Sequence, residues 1–126
     1  MNSSAHQELI VVCDVEDLAD GQVRRAQARG VRLGVVLAHG DIKVFFGGCP
    51  HHGGPLELGR VRSTITASAP GEPVVVSDAP VLVCPWHNYE FDLATGCGVA
   101  AKTMHLRFIP HETHGTKVCV QWPPSR

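Results

Sequence analysis

The sequence lacks long apolar runs, a strong net charge and any sustained 3.6-residue apolar period. No stretch approaches the roughly 18 apolar residues that a membrane-spanning helix needs, and residues 1–7 lack the basic and apolar regions of a signal peptide. We therefore expect no membrane association and a cytoplasmic location. The formal net charge of −1 argues against a general nucleic-acid binder.

The missing helical period favours an all-β fold. Short apolar runs are separated by many of the 13 glycines and 9 prolines. The predicted strands are Glu8–Cys13, Val31–Ala38, Ile42–Phe46, Arg60–Ala67, Val74–Val76, Val81–Val83, Tyr89–Leu93, Met104–Ile109 and Lys117–Trp122. Ser77–Pro80 and His111–Thr116 are predicted as connections. At 126 residues the chain is expected to be one domain, residues 1–126.

A disulfide framework is not expected. The five cysteines are an odd number, and structural disulfides are rare in a reducing compartment. Cys13 and Cys119 lie in predicted strands and are expected to be buried small hydrophobic residues. Cys97 follows a turn glycine and is expected to be more exposed. Cys49 and Cys84 differ from these three, because each is followed by a histidine within three positions.

The two cysteine–histidine pairs are the most informative feature of the sequence. Cys49-x-His51 and Cys84-x-x-His87 each lie in a loop rich in glycine or proline that follows a predicted strand. Thiolate and imidazole ligands suit zinc as well as iron. Zinc fingers usually pair Cys with Cys and His with His, whereas a mixed 2Fe–2S centre needs two thiolates on one iron and two imidazoles on the other. The mixed loops favour the iron–sulfur centre, and zinc remains the alternative.

The residues around these pairs resemble the two cluster-binding loops of Rieske proteins. The resemblance implies one 2Fe–2S cluster, with Cys49 and Cys84 on the buried iron and His51 and His87 on the exposed iron. It also implies an antiparallel β-sandwich or small barrel, in which residues from about 46 to 96 form a cluster-binding subdomain at one tip. The segments that carry it are Cys49-Pro50-His51-His52-Gly53-Gly54-Pro55-Leu56 and Cys84-Pro85-Trp86-His87-Asn88-Tyr89-Glu90-Phe91-Asp92, followed by Leu93-Ala94-Thr95-Gly96.

Within this family the sequence resembles the ferredoxin-like and oxygenase-type branch. High-potential Rieske proteins carry a disulfide between the loops, at positions where this sequence has Gly54 and Trp86. They also carry serine and tyrosine hydroxyls that hydrogen-bond the cluster, where this sequence has Tyr89 and Phe91. Fewer donors to sulfur imply a potential toward the lower end of the roughly −150 to +300 mV Rieske range.

Three features depart from the family pattern. The segment between His51 and Cys84 is longer than usual, which predicts a lengthened hairpin insertion at about 59–79. Asn88 stands where glycine is common, and asparagine tolerates a left-handed backbone. Residues 98–101 contain no proline, although the loop that covers the cluster often has a Gly-Pro pair. The resemblance therefore leaves open how the cluster is covered.

The resemblance implies a soluble electron carrier that is not itself a catalyst. It would accept single electrons from a reductase and pass them to a terminal oxygenase or another redox enzyme. The first alternative is a small Rieske subunit of a larger, nitrite-reductase-like complex, and the second is a zinc-binding structural module. His52 is not expected to bind the cluster and is expected either to face the solvent or to lie next to a ligand. His111-x-x-His114 is not expected to bind a metal, because no third ligand is suitably spaced.

Overall fold

The protein is built from short antiparallel strands joined by tight turns. The computed structural model describes residues 8–48, 54–66, 75–86, 88–99 and 103–124. Its strands are β1 (Glu8–Asp14), β2 (Val23–Ala28), β3 (Val31–Ala38), β4 (Asp41–Phe46), β5 (Arg60–Thr66), β6 (Val75–Val83), β7 (Glu90–Asp92), β8 (Phe108–Ile109), β9 (His111–His114) and β10 (Lys117–Trp122). Val15–Asp17 and Leu56–Leu58 form single 3-10 turns. The expected all-β class is confirmed, and the described ranges contain no helix able to span a bilayer.

Two sheets form the base of the molecule. One has the strand order β1-β10-β9 and the other β2-β3-β4-β8. Both contribute side chains to one apolar cluster, which we call the base core. It consists of Cys13, Ala28, Leu33, Val35, Val44, Ile109, Val118 and Val120. Because this cluster takes buried side chains from both sheets, the two sheets pack against each other across it.

Strand β3 is buried on both faces. Leu33 and Val35 belong to the base core, whereas Val36 and Ala38 belong to a second cluster, which we call the tip core. Because side chains alternate along a strand, a strand buried on both faces needs a nearly continuous apolar run. The sequence VRLGVVLA of β3 provides that run. Strand β3 thus connects the base to the part of the molecule that carries the proposed ligand loops.

The third sheet, β5-β6-β7, forms the opposite end. Its inward side chains join the tip core, which consists of Val36, Ala38, Phe45, Leu56, Leu82, Cys84, Phe91, Leu93 and Leu106. Strand β6 is one continuous strand, so the prediction of two runs separated at Ser77–Pro80 is wrong. The pairing shifts from Ser63 opposite Pro80 to Thr64 opposite Ser77. This bulge accommodates a proline that a regular ladder would exclude.

Two polar strands were missed by the sequence patterns. Strand β2 (VRRAQA) was not predicted, and β9 (HETH) was predicted as part of the connection His111–Thr116, which is wrong. Each is paired with a more apolar neighbour, β2 with β3 and β9 with β10. Their strand conformation therefore depends on pairing with a buried strand rather than on their own composition.

The lengthened hairpin predicted at about 59–79 falls on β5 and β6. These strands pair along Arg60–Thr66 and Val75–Val83, and residues 67–74 lie outside the described residues. Arg62 on β5 forms an ion pair with Glu90 on β7, which bridges the sheet across β6. The division of the chain into a subdomain at about 46–96 and a base stays a prediction.

Candidate metal centre

Cys84 is the predicted ligand that the structure describes. It follows the last residue of β6, and its side chain is fully buried in the tip core beside Leu56 and Phe91. A thiol at the end of a buried strand is held in a defined position by the strand and by its apolar neighbours. The other predicted ligands, Cys49, His51 and His87, lie outside the described residues.

The second loop, residues 84–89, closes on itself. The backbone N–H of Cys84 donates a hydrogen bond of 2.7 Å to the carbonyl oxygen of Tyr89. Just before Tyr89, Asn88 has a φ of 55°, in the left-handed region that glycine fills easily and asparagine tolerates. Asn88 thus adopts the left-handed conformation that asparagine was expected to tolerate at this position. Strand β7 then begins at Glu90 and pairs with β6, so both ends of the loop are attached to the same sheet.

The first loop leaves the base at the end of β4. The N–H of Gly47 donates a 2.8 Å hydrogen bond to the carbonyl oxygen of Arg32, which extends the β3–β4 ladder by one residue. The chain is described again from Gly54, and Leu56 in the following 3-10 turn is fully buried in the tip core. The loop with the first predicted Cys–His pair is thus anchored on both sides.

The two loops contact each other through Gly54 and Trp86. A Cβ atom on Gly54 would lie only 2.8 Å from the indole ring, so a larger residue would force the loops apart. Trp86 covers this glycine with one part of its side chain and remains 49% exposed. High-potential Rieske proteins have a disulfide between the loops at these two positions, and this sequence has Gly54 and Trp86 there. A glycine–indole contact joins the loops there instead.

Glu57 is a residue at this site that the sequence patterns missed. Its carboxylate is buried, lies 3.0 Å from the Arg32 guanidinium and accepts a 3.3 Å hydrogen bond from the N–H of Gly48. The side chain therefore connects the end of the first loop to its beginning and to β3. The signal in the sequence is a charged residue between two leucines directly after the loop.

A third segment runs beside β7. The N–H of Val99 donates to the carbonyl oxygen of Glu90 at 2.9 Å, and the N–H of Gly98 donates to that of Met104 at 2.8 Å. Residues 100–102 lie outside the described residues. The described part places this segment on the outer side of β7, next to the second loop.

The other cysteines differ in exposure as predicted. Cys13 and Cys119 are buried, at 8% and 2% exposure, and Cys97 is half-buried. Burial raises the pKa of the Cys13 thiol, which keeps it protonated and unreactive. The Cys97 sulfur lies 3.6 Å from Nδ1 of His105.

The two histidines of β9 have different surroundings. His114 Nε2 lies 3.0 Å from the Glu112 carboxylate. His111 is half-buried, and burial together with the nearby Lys43 charge lowers its pKa. Across the ranges that the structure describes, no three Cys, His, Asp or Glu side chains converge on one point.

The residues present fit a mixed-ligand iron–sulfur cluster. The fully buried Cys84 thiol is shielded from water, as a ligand of an inner iron should be. The Gly54–Trp86 contact brings together the two loops that carry the four predicted ligands, two thiolates and two imidazoles. This donor set matches a 2Fe–2S centre with two Cys ligands on one iron and two His ligands on the other.

Comparisons of the sequence with known proteins identify the family to which the chain is similar. A family model described as the Rieske [2Fe-2S] domain matches residues 8–110. Apoptosis-inducing factor 3 of Homo sapiens and of Mus musculus is 32% identical over 90 residues, which cover 68% of this chain and 11% of those proteins. The chain thus spans only a small part of these relatives. The ferredoxin component of the alkene monooxygenase system of Xanthobacter autotrophicus is 24% identical over 117 residues, 93% of this chain and 84% of that protein.

Solved structures show the same fold at low identity. The ferredoxin of carbazole 1,9a-dioxygenase from Nocardioides aromaticivorans IC177 has a TM-score of 0.69 at 18% identity, covering 89% of this chain and 95% of that chain. A Mycobacterium tuberculosis protein described as the small subunit of an NADH-dependent nitrite reductase has a TM-score of 0.69 at 14% identity, with coverages of 91% and 95%. The antiparallel architecture expected from the loop motifs is therefore confirmed.

Proposed function

Because the chain belongs to the Rieske [2Fe-2S] domain family, we propose that it is a one-electron carrier whose cluster is bound by Cys49, His51, Cys84 and His87. The family binds a 2Fe–2S cluster, and the four ligands are our assignment. When bound, such a cluster accepts and releases single electrons. The observation that carries the assignment is the Gly54–Trp86 contact, because it brings the two loops together beside a buried cysteine.

The surroundings of the second loop support a potential in the lower part of the Rieske range. Phe91 occupies a position where high-potential relatives have a hydroxyl, and its ring is fully buried in the tip core. A phenyl ring cannot donate a hydrogen bond to a cluster sulfur. Without that donor the reduced, more negative form of the cluster is less stabilised.

The electrons are proposed to come from a reductase and to go to an oxygenase or another redox enzyme. The glycine-rich first loop is followed by the single 3-10 turn Leu56–Leu58. A dinucleotide-binding loop instead opens a helix whose amino terminus holds the pyrophosphate. The first loop is therefore unlike a dinucleotide-binding loop, and the proposal takes the electrons from a protein partner. The similarity to ferredoxins of the alkene monooxygenase and carbazole dioxygenase systems supports an oxygenase as acceptor.

A second candidate function is that of a small subunit in a nitrite-reductase-like complex. The observation that favours it is the likeness in fold to the Mycobacterium tuberculosis small subunit over 95% of that chain. The two candidates differ in how they associate with partners. A subunit should co-purify with its larger partner in a fixed ratio, whereas a carrier should be recovered without one.

A redox titration of the anaerobically purified full chain tests the electron-carrier proposal. We expect a visible spectrum that bleaches on reduction and a midpoint below about +75 mV, the middle of the Rieske range. The midpoint should fall at alkaline pH, because the histidine ligands of the oxidised cluster lose protons there. A colourless protein that contains zinc would support the structural module instead, and a midpoint independent of pH would argue against histidine ligands.

A further inference from the structure

We propose that Glu57 is a positioning residue, whose carboxylate holds the two ends of the first ligand loop in the arrangement that presents Cys49 and His51 to the cluster. This role rests on the proposed function, because it concerns the loop that the proposed cluster occupies. The inference follows from the burial of Glu57, from its two partners and from the glycines packed against it.

The burial of Glu57 requires its partners to be in place. Its side chain is 6% exposed, whereas the side chain of its partner Arg32 is 58% exposed. An unpaired carboxylate at this depth would be strongly unfavourable. One oxygen, Oε2, lies 3.0 Å from Nη1 of Arg32, and the other, Oε1, accepts the N–H of Gly48 at 3.3 Å. Each carboxylate oxygen thus has a different anchor.

The glycines before the loop allow this close approach. A Cβ atom on Gly47 would lie 2.8 Å from Oε1 of Glu57 and 3.0 Å from Cβ of Arg32. Gly48 has a φ of 90°, which side chains other than hydrogen rarely adopt. The pair Gly47-Gly48 therefore leaves room for the carboxylate and turns the N–H of Gly48 toward it.

The contact links parts of the chain that lie on opposite sides of the loop. Gly48 directly precedes Cys49, and Glu57 follows nine positions later in the 3-10 turn that packs against β2 and β3. When the two ends of a loop are held in place, the loop loses less conformational entropy when its ligands bind iron.

Stability alone is a weak reason for an ion pair whose carboxylate is buried and whose guanidinium is exposed. Apolar residues of similar size often stabilise a protein as well as a buried ion pair does. A carboxylate adds direction, because its two oxygens accept from defined positions on β3 and on the loop. The contacts of Glu57 therefore fit a residue that positions the loop better than one that only fills space next to the tip core.

The test compares cluster release from the full-length holoprotein and its variants in an iron chelator. Glu57→Ala should release the cluster about 10-fold faster than the wild type, as expected for the loss of an outer-shell partner. Glu57→Gln should lie between them, because its amide oxygen can still accept from Gly48. Arg32→Lys should stay closer to the wild type than Arg32→Ala. Arg25→Ala, which removes an exposed arginine from neighbouring β2, is the matched control and should match the wild type.

Two further readouts separate positioning from a general loss of stability. In Glu57→Gln and Glu57→Ala, amide exchange at Gly48 should accelerate more than exchange in β10, and the EPR line shape of the reduced cluster should change. Release rates equal to the wild type, or exchange that rises uniformly along the chain, would overturn the proposal. If the wild type holds no iron, the proposed function fails. In that case, amide exchange at Gly48 can still be measured in metal-free Glu57→Gln and Glu57→Ala. If it equals that of the metal-free wild type in both variants, the positioning role of Glu57 is overturned separately.

Discussion

The second ligand loop starts and ends on strands of one sheet, whereas the first leaves one sheet and is held at its ends by a buried carboxylate. In the second loop, Cys84 is fully buried and a backbone hydrogen bond closes the loop, and Phe91 in the following strand β7 is also fully buried. In the first loop, a pair of glycines and the Glu57–Arg32 ion pair occupy the corresponding place. A loop that continues a strand pairing can rely on apolar packing. A loop that bridges two sheets needs directed polar contacts.

This difference predicts different sensitivities. Apolar packing is lost in proportion to the volume removed, because a cavity remains where the side chain was. A buried hydrogen bond or ion pair is lost when a single atom changes, because the remaining buried group is then left without its partner. Substitutions in the apolar packing beside the second loop should therefore lower global stability, and substitutions in the polar contacts at the ends of the first loop should affect mainly local order.

The largest effect is expected for the ligand at the end of β6. Cys84→Ala should abolish the visible spectrum of the cluster, because it removes one thiolate of the proposed set. Cys119→Ala removes a comparably buried thiol from β10, in the base, and should keep the spectrum and the iron content. The measurement is iron per protein together with absorbance. Full iron content in Cys84→Ala would contradict the assignment of this ligand.

The apolar anchor of the second loop should have the next largest effect. Phe91→Ala should lower the free energy of unfolding by about 3–5 kcal/mol, because it leaves a cavity in the tip core. Phe46→Ala, at a partly buried ring in β4, should cost less. Urea denaturation followed by circular dichroism measures both. An unchanged free energy of unfolding in Phe91→Ala would mean that the tip core does not depend on this ring.

A smaller loss of stability is expected from changing the backbone conformation at one position of the second loop. Asn88 has a φ of 55°, so Asn88→Val should lose about 1–2 kcal/mol from the cost of a left-handed backbone. Asn88→Gly should be as stable as the wild type or nearly so, because glycine has no such cost. Urea denaturation measures both variants. If valine were tolerated as well as glycine, the left-handed conformation would not contribute to the loop.

The smallest effect concerns the base, far from both loops. A hydrogen bond from Lys117 and one from the backbone of Glu16 lower the pKa of Asp14 to about 2. Because the folded pKa lies below the unfolded value of about 3.9, this stabilisation is present above about pH 4 and is lost toward pH 2. Asp14→Asn should be less stable than the wild type at neutral pH, and the difference should shrink over that range.

Denaturation at several pH values measures this effect, and Asp41→Asn, at the exposed start of β4, is the control. Neither variant should change the cluster spectrum at neutral pH. A change in the spectrum of Asp14→Asn would show that the base and the loops are coupled, and that the contrast between the two regions is incomplete.

The sequence predicted those features that depend on local pattern. The strands β1, β3 and β4 have the composition of buried strands, and the asparagine conformation follows from the chemistry of one residue. Strands β2 and β9 were missed because their polar sequences become strands only by pairing with β3 and β10. The composition of either segment does not show which neighbour it will pair with.

The candidate site shows the same limit. The two Cys–His motifs are visible in the sequence because ligand spacing is local. The Glu57–Arg32 pair and the Gly54–Trp86 contact join residues that are far apart along the chain. They form only when the turn at Leu56–Leu58 packs against β3 and the second loop reaches the first. A single sequence identifies a charged residue near a loop, but not the residue that it pairs with.

The most direct test of the central claim is electron–nuclear double resonance on the reduced full chain, with the histidines labelled with ¹⁵N. A 2Fe–2S cluster bound by His51 and His87 should show strong coupling between the unpaired electron and ¹⁵N nuclei of histidine. Unlabelled protein is the control for the assignment of that signal. A reduced cluster without ¹⁵N coupling would mean that no histidine binds the iron, and it would contradict the account.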